Sequence, residues 1–279
     1  RPHQWLKNGF VLVGLLFGHA WNDQAMVIRV ALAVGAFSLF SSSVYVINDL
    51  ADAAADRLHP RKKGRPLAAG RLAPAHAAIF GAGLALLGAL LGYAASGRIL
   101  LILLAYGVLN LAYSLRLKEI VILDVFCIAA GFMLRILAGT SGVGIPPSEW
   151  LLLCGLMLTL FLGFAKRRAE MAQLAGEGLA HRAVFRHYSL SLLDTFITIT
   201  ATMVLISYSL YTMSPHTAAA HGTTGLIFTV PFIVYGIFRY VLLLCQGKAG
   251  SEPALDLIRD PHLVAVLLAW LAMTLWLIA

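Results

Sequence analysis

Residues 25–47 read AMVIRVALAVGAFSLFSSSVYVI, and Arg29 is the one charged side chain among them. A helix of about 20 apolar residues is long enough to cross the hydrocarbon core of a bilayer. This stretch therefore predicts a membrane-spanning helix, and similar apolar stretches recur along the chain. We expect an all-α integral membrane protein with one domain over residues 1–279. The nine predicted helices cover 8–21, 25–47, 75–96, 99–114, 120–140, 149–165, 190–213, 223–246 and 262–279.

The composition agrees with lipid as the solvent. Of the 279 residues, 60% are hydrophobic and 12% are charged, whereas a soluble domain averages about 25% charged residues. A soluble fold leaves too much of its surface in water to hide so many apolar side chains. The composition therefore argues against a soluble enzyme, and we expect membrane lipid, but no nucleic acid, among the partners.

The charges of the connecting segments orient the predicted bundle. Four connections carry most of the Lys and Arg residues, and the alternate four are short or nearly uncharged. Basic connections face the cytoplasm, so we expect these four to lie on the cytoplasmic side. The protein is then expected to be a multi-pass protein of the plasma membrane. The acidic residues, apart from Asp23 and Glu149, lie on that same side. Lipid anchoring does not explain these acids, so we expect a polar cavity that faces the cytoplasm.

The sharpest motif stands where the second predicted helix ends. Residues 48–56 read NDLADAAAD, so a continuing helix would place Asp49, Asp52 and Asp56 on one face. Carboxylates of this kind suit Mg²⁺, which completes its shell with water and substrate phosphate; Mn²⁺ is an alternative ion. The three aspartates are thus the predicted metal ligands and catalytic residues, and the simpler alternative is a solvated helix end.

A basic segment follows the acids directly. Residues 57–70 read RLHPRKKGRPLAAG, and Arg and Lys beside a carboxylate-bound metal are what a polyphosphate needs for neutralisation. The alternative is a juxtamembrane basic run that binds anionic lipid. We therefore treat this segment as a candidate phosphate site, and its predicted ligands are Arg57, Lys62, Lys63 and Arg65.

These two motifs together resemble a known family. Asn-Asp-x-x-Asp-x-x-x-Asp at 48–56, followed by Arg-Pro-Leu-Ala-Ala-Gly at 65–70, looks like the first aspartate motif of the UbiA prenyltransferase superfamily. The resemblance implies a nine-helix intramembrane enzyme that cleaves a Mg²⁺-bound diphosphate from carbon.

A narrower resemblance points to one branch of that superfamily. The segments 1–8 (RPHQWLKN), 56–60 (DRLHP), 113–118 (YSLRLK), 131–135 (GFMLR) and 163–170 (GFAKRRAE) look like the decaprenyl-phosphate phosphoribosyltransferases. This resemblance implies transfer of 5-phosphoribose from phosphoribosyl pyrophosphate (PRPP) to a polyprenyl phosphate, which supplies precursor for cell-wall arabinan. Asp124, near the cytoplasmic end of predicted helix 120–140, is a fourth predicted catalytic residue, because ionisable groups in a membrane helix are functional candidates; a ribose hydroxyl and a metal are its candidate partners. The substrate-binding residues that the resemblance adds are Lys7, Asn8, Asn48, Tyr113, Lys118, Arg135, Lys166, Arg167 and Glu170.

One departure separates the chain from the aromatic prenyltransferases of the superfamily, which carry a second Asp-x-x-x-Asp motif after helix 6. The corresponding residues 166–170 read KRRAE. Cations suit PRPP, because that donor carries a 5-phosphate in addition to its diphosphate. Asp256 and Asp260 have the spacing of a second motif but precede the last helix, so they are either a displaced metal site or part of a solvated loop.

Three questions stay open at this level. An aromatic prenyltransferase that acts on a substrate such as hydroxybenzoate is one alternative function. A transporter is another, although transporters more often place ionisable residues near the bilayer midplane. Arg135 and Arg239 lie deeper in their helices than the other cations, so each is either a functional group or the structural partner of a buried carbonyl. A homo-oligomer is compatible with the sequence.

Overall fold

The computed structural model describes residues 2–58, 63–174 and 187–278, and within these ranges the regular structure is helical, without strands. The chain divides into two compact units. The first comprises residues 1–114 and 134–146, and the second comprises residues 115–133 and 147–279. Since the chain enters each unit twice, each is built from segments distant in sequence.

The first unit contains the N-terminal helices. A 3-10 helix, Pro2–Leu12, runs into α1 (Val13–Phe17). Asp23 then caps α2 (Gln24–Ala51) and accepts hydrogen bonds from the backbone N–H groups of Ala25 and Met26. The remaining helices, with α6 shared between the units, are α2 (Gln24–Ala51), α3 (Ala53–Leu58), α4 (Pro74–Ala95), α5 (Gly97–Leu115) and α6 (Leu123–Gly139).

Small residues let two of these helices approach closely. α2 packs along α4, and a Cβ on Gly88 would lie 2.9 Å from the backbone nitrogen of Phe40. Only glycine fits a contact this close. The buried core beside it is formed largely by Val30, Ala33, Phe37, Ile99 and Leu103.

The second unit contains the C-terminal helices. α7 (Glu149–Leu174) packs along α8 (Leu190–Met213), and α10 (Val230–Cys245) packs against both α8 and α12 (Pro261–Ile278). Its core is aromatic and aliphatic, with Phe161 against Tyr240 and Phe164 against Phe196. A 3-10 helix, Gly225–Thr229, leads into α10. The helices are α7 (Glu149–Leu174), α8 (Leu190–Met213), α9 (Pro215–His221), α10 (Val230–Cys245), α11 (Pro253–Arg259) and α12 (Pro261–Ile278).

Seven helices of the described chain are long and apolar enough to cross a membrane. Together with the large apolar side chains exposed on them, such as Phe80, Val108 and Trp276, they make the chain a multi-pass membrane protein. The seven are Gln24–Ala51, Pro74–Ala95, Gly97–Leu115, Glu149–Gln173, Leu190–Met213, Gly225–Cys245 and Pro261–Ile278.

The other two predicted spans are shorter helices. Predicted span 8–21 forms the end of the 3-10 helix and the five-residue α1. Predicted span 120–140 forms α6, which has 17 residues and begins after Ile122, whose φ of 69° interrupts helical geometry. Apolar composition marked both segments correctly as helical, but it did not reveal where backbone geometry ends the helix.

Backbone contact holds the N-terminal segment against the end of α6. A Cβ on Gly139 would lie 1.8 Å from the carbonyl oxygen of Val11, and one on Gly14 would lie 1.7 Å from the carbonyl oxygen of Gly139. Two backbones therefore touch with no room for a side chain. This contact fixes the position of the 3-10 helix that carries Lys7 and Asn8.

Gly139→Ala is expected to destabilise the protein by ~1–3 kcal/mol or more, the cost of overpacking a tight interior. The measurement is thermal unfolding of the purified protein in detergent. Gly9→Ala is the matched control, because a Cβ on Gly9 has no atom within 4 Å. Equal unfolding temperatures for the two variants would contradict the described backbone contact.

Candidate active site

The acidic motif lies where α2 passes into α3. Asp52 interrupts the helix for one residue, yet its N–H donates to the carbonyl of Asn48 at 2.9 Å and its carbonyl accepts from Asp56 N–H at 2.8 Å. The helical hydrogen-bond pattern thus continues across the interruption. Asp49 and Asp56, two turns apart, consequently share a face.

One arginine joins the two acids. Nη1 of Arg65 donates to Asp49 Oδ1 at 3.0 Å and to Asp56 Oδ2 at 2.6 Å. The side chain of Asp56 is 4% exposed, that of Asp49 19% and that of Arg65 28%. Two close carboxylates repel each other, and the single positive charge of the guanidinium offsets part of that repulsion at the point where they converge.

This geometry fits a divalent cation. The described residues contain no group of three or more His, Cys, Asp or Glu side chains arranged to hold a metal. However, Asp49 and Asp56 direct one oxygen each at a single cationic nitrogen, which stands in for a bound ion. Mg²⁺ is held in many proteins by one or two carboxylates plus substrate phosphate, so these residues suit it.

Other residues that the sequence predicts for this site also lie in the first unit. Ser114 Oγ donates to Asn48 Oδ1 at 2.9 Å and so joins the ends of α5 and α2. Tyr113 is half-buried beside it on α5. Arg57 and Lys63 are exposed to solvent. Lys62 lies outside the described residues.

Asn8 and Arg135 meet in the interior of the first unit. Arg135 is buried, and its Nε donates to Asn8 Oδ1 at 2.9 Å while Nη2 donates to Tyr106 OH at 3.1 Å. Its guanidinium carbon also lies 4.7 Å from the ring centroid of Tyr106, a cation–π distance. Asn8 in turn donates to Ser38. This network positions the 3-10 helix, on which Lys7 is half-buried.

A second charged network lies inside the second unit. Asp124, in the first turn of α6, is fully buried and accepts from Arg167 Nε at 2.6 Å and from Tyr188 OH at 2.9 Å. Arg167 is 1% exposed and also donates to Glu170 at 2.6 Å. Lys166 Nζ lies 3.9 Å from Glu170. Of the residues in KRRAE, Lys166 and Glu170 have partly exposed side chains, whereas Arg167 is buried.

Tyr188 is a member of this network that sequence reasoning missed. Its hydroxyl accepts the N–H of Ile122 at 2.7 Å and donates to Asp124. Burial raises the pKa of Tyr188, so the phenol keeps the proton that it donates. No spacing pattern marks this tyrosine, since its partners are 64 and 66 residues away in sequence.

Asp256 and Asp260 serve local contacts. Asp260 pairs with Arg239 at 2.7 Å and accepts the N–H of Leu263, and the hydrogen bond from Arg239 lowers the pKa of Asp260 to about 2. Asp256 is buried and accepts the N–H of Gly250 at 2.6 Å. Arg239 is thus the ion-pair partner of a carboxylate, not of a carbonyl. Lys118, the remaining predicted ligand, is half-buried in a short 3-10 helix, Leu117–Glu119.

Comparison with known proteins identifies the family. A model of the UbiA prenyltransferase family matches residues 9–258. The chain belongs to this family. A decaprenyl-phosphate phosphoribosyltransferase of Mycolicibacterium smegmatis is 33% identical to this UbiA family member over 285 residues, which cover 97% of this chain and 88% of the relative. One of the same name from Corynebacterium glutamicum is 34% identical, with coverage of 97% and 82%.

Solved structures agree on the fold of this UbiA family member. A UbiA homolog from Archaeoglobus fulgidus, bound to GPP and Mg²⁺, superposes with a TM-score of 0.74 and covers 100% of this chain and 97% of its own. The sequence identity is 18%, so this likeness concerns the fold alone. The resemblance that motifs 48–56 and 65–70 indicated is confirmed.

Proposed function

We propose that the protein transfers 5-phosphoribose from PRPP to a polyprenyl phosphate and releases diphosphate. The observation that carries the proposal is the convergence of Asp49 and Asp56 on one cationic nitrogen, because paired carboxylates with a cation are what a leaving diphosphate needs. Relatives named decaprenyl-phosphate phosphoribosyltransferase, which match 97% of the chain, support the choice of donor and acceptor. Precursor supply for cell-wall arabinan is the corresponding role.

The proposal includes a site on the cytoplasmic side of the plasma membrane. It also includes a single nine-helix domain, in which the helices of predicted spans 8–21 and 120–140 complete the seven longer ones. The distribution of Lys and Arg residues among the connections supports this orientation, and the length of the family match supports a single domain.

In this mechanism Asp49, Asp52 and Asp56 would hold Mg²⁺, and the ion would stabilise the leaving diphosphate. Arg57, Lys63 and Arg65 neutralise the remaining phosphate charge. The bond between ribose C1 and the diphosphate oxygen breaks, and C1 bonds to an oxygen of the polyprenyl phosphate. That oxygen is already an anion, so no residue has to remove a proton from it.

Asp124 and Arg167 have a positioning role in this proposal. Asp124 is fully buried and receives two hydrogen bonds, which favours a positioning role over contact with ribose. It holds Arg167, which in turn holds Glu170. Lys166 and Glu170 are then the groups of α7 available to the donor, and Lys166 is the candidate ligand for the 5-phosphate.

The donor assignment makes a prediction for Lys166. Lys166→Ala is expected to raise the apparent KM for PRPP about 10-fold, because a charge-assisted hydrogen bond contributes ~1.5–3 kcal/mol and this side chain is partly exposed. The KM for the polyprenyl phosphate should change much less. Initial rates of diphosphate release measure both constants, and Lys248→Ala, an exposed cation of another connection, is the control.

The same assay tests the function itself. Purified wild-type protein, supplied with Mg²⁺, is given PRPP and a short polyprenyl phosphate in one reaction, and geranyl diphosphate with hydroxybenzoate in another. Product in the first reaction supports the proposal. An active protein that ignores PRPP and prenylates the aromatic acid would instead be an aromatic prenyltransferase, and the proposed function would be wrong.

A further inference from the structure

We propose that Arg65 is a built-in competitor of the metal: its guanidinium occupies the carboxylates of Asp49 and Asp56 until the diphosphate of the donor draws it away. Metal and diphosphate would then bind cooperatively, with Arg65 as the group that couples them. This inference rests on the proposed function for the identity of the donor. It concerns the order and coupling of binding, which that function leaves undetermined.

The contacts place the two cations in competition for the same two carboxylate oxygens. A single nitrogen, Nη1 of Arg65, contacts both Asp49 and Asp56, so it lies where these oxygens would meet an ion. Asp56 is almost fully buried, and a buried carboxylate that loses its cationic partner is strongly destabilised. A metal that binds these two oxygens must therefore take the place of the guanidinium, and a metal that arrives alone has to displace it into water.

The structure lets the side chain of Arg65 move without disturbing its backbone. The carbonyl of Arg65 accepts the N–H of Ala69 at 2.8 Å, and Pro66 accepts that of Arg71 at 2.9 Å. Leu67 and Ala68 within this turn are buried. The backbone is thus anchored, whereas the side chain is 28% exposed, so a change of rotamer can take the guanidinium from the acids to a nearby anion.

A diphosphate supplies that anion. Guanidinium binds phosphate oxygens in the same bidentate manner as it binds carboxylates, so Arg65 exchanges one anionic partner for another when metal and diphosphate arrive together. Coupling of this kind is reciprocal for binding free energies. Removal of Arg65 should therefore tighten metal binding and weaken donor binding, whereas the loss of a purely structural arginine would weaken both.

The experiment measures Mn²⁺ binding to the purified full-length protein in detergent without donor, from the electron paramagnetic resonance signal of free Mn²⁺. Arg65→Ala is expected to lower the Kd for Mn²⁺ at least ~10-fold. Arg65→Gln, which keeps a polar side chain at this position but removes the charge, should change Kd in the same direction and guards against misfolding. Arg71→Ala, an exposed arginine of the same turn, should bind Mn²⁺ as the wild type does.

The second measurement is the KM for PRPP at saturating Mn²⁺, which should rise at least ~10-fold in both Arg65 variants. A lower Kd for Mn²⁺ together with a higher KM for PRPP supports the inference. If the folded Arg65→Gln protein binds Mn²⁺ no more tightly than the wild type, the inference is overturned, even where the wild type uses PRPP. A wild type that ignores PRPP would overturn the proposed function instead, and the Mn²⁺ comparison would still decide the competition.

Discussion

Asp49→Ala and Asp56→Ala are each expected to lower the turnover of PRPP at least ~100-fold, the scale for losing a positioned electrostatic stabiliser. Each variant removes one of the two oxygens that converge on the cation position, so the leaving diphosphate loses its counter-charge. Initial rates of diphosphate release at saturating Mg²⁺ measure the effect. In the wild type a chelator should abolish the activity, and Mn²⁺ added in place of Mg²⁺ should restore part of it.

Asp23→Ala is the matched control for this pair. Asp23 caps the opposite end of α2, where it accepts two backbone N–H groups. Loss of an N-cap costs about 1 kcal/mol of stability, so this variant should unfold more easily yet keep its turnover. Wild-type rates in both Asp49→Ala and Asp56→Ala, or full activity in chelator, would refute the metal site.

Arg167→Ala is expected to destabilise the protein by ~3–5 kcal/mol, the cost of leaving a buried partner charge uncompensated. Asp124 is fully buried, and Arg167 donates to it at 2.6 Å. The measurement is unfolding of the purified protein in a denaturing detergent series. The double variant Asp124→Leu/Arg167→Met should recover most of the loss, because apolar replacement of a buried ion pair is often near neutral.

The neighbouring residue gives the control. Arg168 also pairs with an acid, Asp194, but that acid's side chain is 49% exposed, so Arg168→Ala should cost no more than ~1 kcal/mol. If Arg167 were instead a direct ligand of PRPP, Arg167→Ala would keep wild-type stability and raise the KM for PRPP. That outcome would contradict the positioning role.

Helix positions could be predicted from the sequence where apolar length and capping agree. Predicted helix 190–213 matches α8 because Ser189 caps it through its side chain, and α4 begins at Pro74, one residue before the predicted start. α7 instead continues to Leu174, beyond the predicted limit of 165. Hydropathy indicates where the apolar, lipid-facing stretch ends. It does not indicate where the helix ends, because a helix can continue into water.

The candidate site could be predicted in part. The spacing of Asp49 and Asp56 indicated a shared face, because helical geometry is local. The partners could not be predicted: Asn8 and Arg135 are 127 residues apart, and no local pattern encodes such a contact. The sequence predicts that the acids and the bases contact the substrate as two separate sets, whereas Arg65 contacts the acids themselves.

The length of two helices links the candidate site to the bilayer. α2 has 28 residues and α7 has 26, so at 1.5 Å per residue they extend ~42 and ~39 Å, against ~30 Å of hydrocarbon. Asp49 stands at the end of one helix, and Lys166 stands in the final turns of the other. The excess length carries the polar end of each helix beyond the apolar stretch that hydrocarbon covers. Lipid headgroups and water, not acyl chains, are therefore the expected surroundings of both groups.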